Sequence, residues 1–535
     1  MPRFATISDR ALIGLIFIAA LVLRVVELIV VPHSGYPDAD WYVSVARQLA
    51  AGQGLTVPYI WNWVDVGSVI PAIGTLPIPA GAHWTPGAAF LALPGVLAGD
   101  TPFLRGLPFA VVAAGLPVLG FLVGRTLFAR RRDALLVAFA VALPGPVTWF
   151  LDVPDNVGLF SLLAGMSLYA VGRLAAATAE ERRGRWRLLA GLALGAATWC
   201  RPDAFLIAGT IGLLLIWRRR ITWRDVAAIA LVTGLVVSPW IVRQLLVFGS
   251  ISPSSATGRI LWIRDYGELF SAAGPLTAGH LLSWPGLALS RFLGAIEVTK
   301  LASLYLGWMV AAPVVLIGVV SLVRRFPMAR VFGLAFLVHA AWSAIVATPH
   351  IETGNYLHGS VVYLPLAAAG LVEGGRILAR WLTRICPPTS PGLYLAPRVV
   401  MPTLLAWVIV CTAFTAYSHL GSDAATTLAE REAVVAALAD LPAGAVVIST
   451  EPGMIWLETG HPGVPTPSDG PAMVRAAIRA YGVRAWLVTD VDLPRAAALI
   501  DPATRPAWVG LPREIRGRDG VVFATLLPII DIPPP

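Results

Sequence analysis

Long apolar runs recur along most of this chain, and they constrain its fold more than any other feature. The first run, residues 11–31, is mostly apolar over about 20 positions, the length at which an α-helix crosses the hydrocarbon core of a bilayer. Hydrophobic residues make up 57% of the chain and charged residues only 13%, outside the range of soluble globular proteins. We therefore predict an all-α polytopic membrane protein with about 11 transmembrane helices. The runs lie at roughly 11–31, 104–124, 134–151, 157–176, 188–200, 203–217, 225–247, 299–322, 331–348, 356–373 and 399–419.

Arginine clusters predict the topology of these helices. The formal net charge of +9 would suggest nucleic acid as a partner in a soluble protein, but here the basic residues are grouped between apolar runs. They fall on every second connection, which the positive-inside rule assigns to the cytoplasm. We therefore predict a multi-pass plasma (inner) membrane protein with a cytoplasmic N-terminus, whose first run is retained as a span, and we exclude nucleic acid. The clusters lie at 130–132, 182–185, 218–220, 324–325 and 376–398.

The composition changes after the last apolar run. LAEREAVVAALADLPAG and GPAMVRAAIRAYG have helical apolar spacing, whereas VVIST and RAWLVTD are β-branched or aromatic runs typical of strands. We therefore predict a transmembrane module over residues 1–421 and a small extracytoplasmic α/β domain over residues 422–535.

Two carboxylates, Asp38 and Asp40, follow the first apolar run in the segment HSGYPDADWYVSVARQLAAGQGL. VSVARQLA has the spacing of a short amphipathic helix, and aspartate is a preferred residue at a helix N-terminus. One aspartate suffices as a cap, so the second needs another explanation. Either Asp38 or Asp40 could be the cap, and the other is a candidate for a functional role.

Further polar residues lie in or beside the apolar runs. Arg24 and Glu27 share one face of the first run, where ionisable residues are costly and mark either a functional site or a self-neutralising pair. The predicted outer connections also carry Asp152 and Asp155 in WFLDVPDNVGLF, and His83 and Trp84 in GAHWTPGAAFLALPG.

Several motifs together resemble the GT-C superfamily of polytopic glycosyltransferases. Their order is PDADWYVSVARQLAAGQGL, HWTPGAAFLALPGVLAG, VPDNVGLFSLLAGMSLYA, LALGAATWCRPDAF and GNYLHGSVVYLPLAAAGL, spread over most of residues 10–420. The resemblance is to the branch of the lipid A aminoarabinose transferases, protein O-mannosyltransferases and rhizobial core-sugar transferases. It implies a GT-C fold and an essential first-loop aspartate, matched by Asp38 with Asp40 beside it. From this match we predict that Asp38 is a general base and that Asp40 is the helix cap or a neighbouring support. It also implies a second acidic residue, matched by Asp155 with Asp152 as the alternative.

The resemblance also suggests how the donor phosphate is bound. Arg201 matches an Arg-Pro motif at the tip of a helical hairpin, although a salt bridge to Asp203 would be a purely structural role for it. The family usually has an arginine before the tyrosine of its late outer loop, where this chain has Asn355 before Tyr356. The phosphate role would then pass to other basic residues, namely Arg201, His350, His358, Arg259, Arg264 or Lys300. The substrate-binding candidates are His83, Trp84, Tyr356, Glu352 and Arg24.

The implied function is transfer of a sugar, hexosyl or pentosyl, from a polyprenyl-phosphate donor to a cell-envelope glycan, lipid or protein, with inversion. A lipid phosphate is already a good leaving group, so the enzyme needs only positive charge beside the phosphate to stabilise it as it leaves. It also needs a carboxylate base that accepts the proton of the acceptor hydroxyl. A divalent cation, Mg or Mn, is a candidate cofactor with Asp38 and Asp155 as its ligands, although aspartates without histidine at ligand spacing are a weak metal signal. The alternative is a polytopic transporter or lipid-linked sugar flippase, which would be expected to contain paired repeats with broken helices.

Overall fold

The computed structural model describes residues 7–30, 37–177, 180–218, 221–254, 256–352, 354–385, 396–418 and 424–531. The chain divides into two compact units. Unit 1 comprises residues 1–32, 106–240 and 288–420, and unit 2 comprises residues 33–105, 241–287 and 421–535. The predicted boundary between residues 421 and 422 lies outside the described residues.

Helices account for most of the described residues. The α-helices are α1 (Asp9–Val30), α2 (Pro37–Ala50), α3 (Gly87–Leu97), α4 (Pro102–Ala113), α5 (Gly115–Leu127), α6 (Arg131–Ala142), α7 (Asn156–Ala176), α8 (Glu180–Thr198), α9 (Ala204–Arg218), α10 (Trp223–Phe248), α11 (Thr257–Ile260), α12 (Ala278–Leu282), α13 (Leu287–Leu301), α14 (Ala312–Arg325), α15 (Pro327–Ile345), α16 (Asn355–Gly359), α17 (Leu364–Ile385), α18 (Ala396–Thr415), α19 (Ala424–Leu438), α20 (Pro452–Thr459), α21 (Pro471–Tyr481) and α22 (Leu493–Ile500).

Seven helical segments in the described ranges are long and apolar enough to cross a membrane. They match seven of the predicted runs and lie at Asp9–Val30, Pro102–Leu127, Asn156–Ala176, Trp223–Phe248, Pro327–Ile345, Asn355–Ile385 and Arg398–Ser418. An eighth would be the pair Leu287–Leu306 and Met309–Arg325, which bends by 104°. Trp308 and Met309 at this bend have left-handed backbone conformations, with φ of 42° and 59°.

The predicted total of about 11 spans is not confirmed. Of the three remaining runs, α6 has only 12 residues because Pro144 and Gly145, the latter with a φ of 67°, follow its end. α8 begins with a charged segment, and α9 has 15 residues. The helical hairpin expected to carry Arg201 at its tip is present, since α8 ends at Thr198 and α9 begins at Ala204.

Small residues let two helices of unit 1 pack closely. A Cβ atom added at Gly318 of α14 would lie 1.9 Å from the carbonyl oxygen of Gly370 of α17, and one added at Gly374 would lie 2.0 Å from that of Val314. Such close contact of backbones is the usual role of glycine between membrane helices.

Unit 2 contains a five-stranded sheet in the order β4-β3-β5-β7-β6, in which β3 is parallel to β4 and β5 and β7 is antiparallel to β5 and β6. The predicted helices and strands after residue 423 are therefore confirmed as elements, while their status as a separate domain stays a prediction. The strands are β1 (Thr56–Val57), β2 (Ile78–Pro79), β3 (Val447–Ser449), β4 (Gly463–Pro465), β5 (Ala485–Thr489), β6 (Arg513–Arg516) and β7 (Val522–Pro528), with β1 and β2 forming a separate antiparallel pair.

The core of this sheet draws on three segments of the chain. Ile60 and Trp63 lie in the first loop, between α2 and α3, and Ala272 lies in the large loop, between α10 and α13. They pack in one cluster with Ile448 and Trp486 of the sheet. Burial of large apolar side chains is the main stabilising contribution in such a cluster. Residues 33–105, 241–287 and 421–535 therefore share a hydrophobic core.

Candidate functional site

The first turn of α2 carries both aspartates of the opening motif. Proline suits the first position of a helix because its missing N–H has no partner there, and α2 begins at Pro37. Asp38 is half-buried, whereas Asp40 is buried. The expectation that Asp40 caps the helix is wrong, because it lies inside the first turn and not before it, and its carboxylate receives hydrogen bonds from a distant arginine.

That arginine is Arg431 of α19. Its Nη2 donates to Oδ2 of Asp40 at 2.6 Å and its Nη1 to Oδ1 at 3.3 Å. The side chains of Asp40 and Arg431 are only 5% and 11% exposed. Burial raises the pKa of Asp40 above its ordinary value, and Arg431 opposes that rise. The sequence carried no signal for this pair, since Arg431 stands in an ordinary helical pattern.

Aromatic side chains and a second buried acid surround His83 in unit 2. The ring centroids of Trp84 and Trp61 lie 4.8 and 5.1 Å from that of His83. Nδ1 of His83 is 3.8 Å from Oδ1 of Asp65, an oxygen that has no hydrogen-bond partner in the described part of the chain. Burial raises the pKa of Asp65 to about 8, although Asn62 and Arg259 oppose the rise. Asp65 was missed in the sequence because it stands alone in WNWVDVG.

The two candidate arginines of the large loop donate to backbone carbonyls. Arg259 Nη1 donates to the carbonyl oxygen of Val64 at 3.0 Å. Arg264 donates to the carbonyl oxygen of His280, with Nη2 at 2.7 Å. These contacts hold the loop within unit 2.

Asp155 of unit 1 is a buried helix N-cap with only one of its two carboxylate oxygens hydrogen-bonded among the described residues. It is the N-cap of α7, with extended φ and ψ of −128° and 166°, and its side chain accepts a hydrogen bond from the backbone N–H of Asn156. Its Oδ2 is buried and has no hydrogen-bond partner among the described residues. Burial raises the pKa of Asp155 to about 6, while the Asn156 N–H and Arg201 oppose the rise. One carboxylate oxygen of Asp155 and one ring nitrogen of His358 lie within 4.8 Å of each other.

Arg201 lies at the tip of the α8–α9 hairpin and connects three parts of unit 1. Its Nη2 and Nε donate to Oδ2 of Asp203 at 2.6 and 2.9 Å, so the structural alternative weighed for it is present. Its Nη1 donates to Oδ1 of Asn156 at 2.9 Å, and its Nη2 to the carbonyl oxygen of Gly354 at 3.0 Å. Asn355 donates to Oδ1 of the same Asp203 at 2.9 Å. The basic Arg201 therefore contacts the residue preceding the position where the family usually has its arginine.

Arg24 and Asp152 meet in unit 1. Arg24 Nη1 is 2.6 Å from Oε2 of Glu27 and 3.6 Å from Oδ2 of Asp152, and its Nη2 donates to the carbonyl oxygen of Ala142 at 2.6 Å. Burial raises the pKa of Asp152 well above its ordinary value, and Arg24 opposes that rise. These contacts correspond to the self-neutralising arrangement considered for Arg24.

The remaining candidates of unit 1 differ in exposure. Lys300 and Glu352 form an ion pair at 3.5 Å and are both exposed, with side chains 53% and 65% accessible. Tyr356, His350 and His358 are buried. The Tyr356 hydroxyl has no hydrogen-bond partner in the ranges that the structure describes.

No family model and no curated protein sequence matches this chain. Solved structures do match over nearly its whole length. ArnT from Cupriavidus metallidurans has a TM-score of 0.60 in its apo state, at 14% identity, and 0.61 when bound to undecaprenyl phosphate, at 12% identity. Each alignment covers 99% of this chain and 100% of the other.

An archaeal enzyme matches as well. The Archaeoglobus fulgidus oligosaccharyltransferase, in complex with Zn and sulfate, has a TM-score of 0.58 at 13% identity, over 95% of this chain and 72% of its own. At these identities the similarity concerns the fold. This chain has the fold of the GT-C glycosyltransferases, as its motifs predicted.

Proposed function

We propose that this protein is a membrane glycosyltransferase that moves a sugar from a polyprenyl-phosphate donor to an extracytoplasmic acceptor, which is a cell-envelope glycan, lipid or protein. The fold supports the general kind of reaction, because the ArnT structure that it resembles binds undecaprenyl phosphate. The seven span-length helices among the described residues are in keeping with a multi-pass protein of the plasma (inner) membrane. We further propose that the N-terminus is cytoplasmic and that unit 2 is extracytoplasmic.

The buried carboxylate of Asp155 is the observation that carries this proposal. Burying a carboxylate with an unpartnered oxygen is costly, and such groups are concentrated at functional sites. Asp155 is also the residue that best matches the second acidic position of the GT-C motifs. The Asn156 N–H already satisfies its other oxygen, so Oδ2 remains available for a substrate hydroxyl or a cation.

Asp38 is our candidate for the general base. In the proposed reaction the acceptor oxygen forms a bond to the anomeric carbon as the bond from that carbon to the phosphate oxygen breaks. The electron pair of the broken bond leaves with the polyprenyl phosphate, and Asp38 takes the proton of the acceptor hydroxyl. Attack opposite the leaving group inverts the anomeric configuration. Asp40, paired with Arg431, supports the helical turn that carries Asp38.

Arg201 is our candidate for stabilising the donor phosphate. Its guanidinium contacts Gly354, directly before the Asn355 that departs from the family pattern, and a planar guanidinium suits phosphate oxygens. Its bonds to Asp203 and Asn156 would hold it in one orientation. Preorganised positive charge of this kind lowers the energy of the negative charge that develops on the leaving phosphate.

A divalent cation fits the surroundings of Asp155. One carboxylate oxygen of Asp155 and one ring nitrogen of His358, within 4.8 Å of each other, would provide two ligand atoms in unit 1. Histidine nitrogen and carboxylate oxygen together suit Zn or Mn, whereas Mg prefers oxygen alone. When bound, such an ion would neutralise charge on a donor phosphate.

Purified protein in proteoliposomes, given a panel of radiolabelled polyprenyl-phosphate sugars and a membrane extract as the source of acceptor, tests this function. We expect label to move from the lipid to an acceptor. Transport of the labelled lipid across the bilayer without any glycosyl transfer would instead favour the flippase alternative.

A further inference from the structure

The C-terminal part of unit 2 contacts both ends of α2, the helix that carries Asp38. Near its N-terminus, Arg431 of α19 binds the carboxylate of Asp40. Near its C-terminus, Arg47 Nη1 donates to the carbonyl oxygen of Leu457 in α20 at 2.8 Å. The guanidinium carbon of Arg47 also lies 5.9 Å from the ring centroid of Trp456. These contacts join residues of α2 to residues about 390 to 410 positions later in the chain.

Several acidic groups act on Arg431, and Arg105 is a second positive charge that acts on Asp40. Its Nη1 lies 3.4 Å from Oε1 of Glu458, and the negative charges of Asp40 and Glu451 act on it as well. Burial raises the pKa of Glu451, and the charge of Asp40 adds to that effect. Removing the charge of Arg431 would leave the buried Asp40 carboxylate without its hydrogen-bonded partner, close to the carboxyl groups of Glu451 and Glu458. Breaking a buried ion pair from one side is strongly destabilising for this reason.

Asp38 stands two residues before Asp40 on the same helical turn. A rigid turn transmits the position of one residue to the other, because the backbone hydrogen bonds of α2 join successive turns. A displacement of about 1 Å in a catalytic group can cost about a hundredfold in rate. The orientation of Asp38 therefore depends on what holds Asp40.

We propose that Arg431 is a positioning residue for glycosyl transfer, which sets the orientation of the first turn of α2, and with it Asp38, through its ion pair with Asp40. This inference rests on the proposed function. It assigns α19 a part in the reaction, because α19 would stabilise the geometry of the first turn of α2.

The test compares the turnover of Arg431→Met with that of a matched control. Arg513→Met is the control, because Arg513 also binds an aspartate, Asp440 at 3.0 Å, but in an exposed pair. Both proteins are assayed in proteoliposomes well below their melting temperatures, with separate titration of the donor lipid. We expect kcat of Arg431→Met to fall about a hundredfold, with KM for the donor changed by less than about threefold. Arg513→Met should match the unaltered protein.

Two further variants separate positioning from stability. Arg431→Lys keeps the charge but not the two-pronged geometry, and should recover part of kcat. Asp40→Asn should lower kcat as Arg431→Met does, and combining the two should add little, because both break one interaction. If Arg431→Met does not fold, the kcat values of Arg431→Lys and Asp40→Asn decide whether Arg431 positions Asp38.

The inference is overturned if folded Arg431→Met, or failing it Asp40→Asn, turns over within about twofold of Arg513→Met. Losses from Arg431→Met and Asp40→Asn that multiply in the double variant would overturn it too. The unaltered protein reports on the proposed function separately. Its failure to transfer sugar from every donor in the panel would contradict that function and this inference together, whereas equal transfer by the unaltered protein and Arg431→Met would contradict the inference alone.

Discussion

Replacing Asp155 by Asn should make the folded protein more stable and at the same time abolish transfer. Burial raises the pKa of Asp155 from 3.8 to about 6. Because one pKa unit equals about 1.4 kcal/mol, the ionised carboxylate costs the folded state about 3 kcal/mol relative to an exposed one. Asparagine is as good an N-cap as aspartate, so Asp155→Asn removes the charge and keeps the start of α7.

The sign of the pH dependence follows from the raised pKa. Between about pH 4 and pH 6 the folded protein binds more protons at Asp155 than the unfolded chain does, so its stability falls as the pH rises through that window. We therefore expect Asp155→Asn to melt about 3–6 °C above the unaltered protein at pH 8, with the difference vanishing near pH 4. The measurement is thermal unfolding in detergent, followed by tryptophan fluorescence, with a chelator present to remove bound cations.

A matched variant separates charge from capping. Asp155→Ala also removes the charge but loses the cap, which costs about 1 kcal/mol, so it should melt below Asp155→Asn at every pH. If the melting temperature of Asp155→Asn at pH 8 is equal to or below that of the unaltered protein, the ionised carboxylate does not destabilise the fold and our reasoning is refuted. Full transfer activity in Asp155→Asn would refute the functional part alone.

Four further outcomes are expected. Asp38→Asn should lower kcat by about two to four orders of magnitude with an unchanged melting temperature, as measured in the transfer assay, and unchanged kcat would exclude Asp38 as the base. Arg201→Ala should weaken binding of undecaprenyl phosphate and Arg201→Lys should restore part of it; equal binding by all three proteins would leave Arg201 with its structural bridge to Asp203 alone. A divalent cation added at pH 8 after removal of the chelator should raise the melting temperature of the unaltered protein but not that of Asp155→Asn, and an equal rise in both would place the ion elsewhere. A reporter fused after residue 421 should be active only when it is of the extracytoplasmic type, and activity of a cytoplasmic reporter there would reverse the predicted topology.

The sequence was sufficient to predict the class of protein, its main spans and the GT-C fold. The fold was expected from the resemblance of the motifs to the GT-C superfamily. The class and the spans instead depend on local composition, because a run of about 20 apolar residues is a span wherever it stands in the chain. The same holds for the elements after residue 423, whose periodicity predicts a helix or a strand without knowledge of their neighbours. Local patterns were less informative where a run is short, as at α6, because its end depends on Pro144 and Gly145 and on the packing around them.

Tertiary structure decided what each polar residue does. Asp40 has the sequence context of a helix cap, yet its partner Arg431 stands 391 positions away, and no local pattern encodes a contact over that distance. From the sequence, Arg201 could be either a phosphate ligand or the partner of Asp203 in a salt bridge. Only the folded structure shows that Asn156 and Gly354 contact the same guanidinium. The physical reason is that hydrophobicity acts on each segment separately, whereas the pairing and the pKa of a buried charge depend on every group that the folded chain brings within a few ångströms of it.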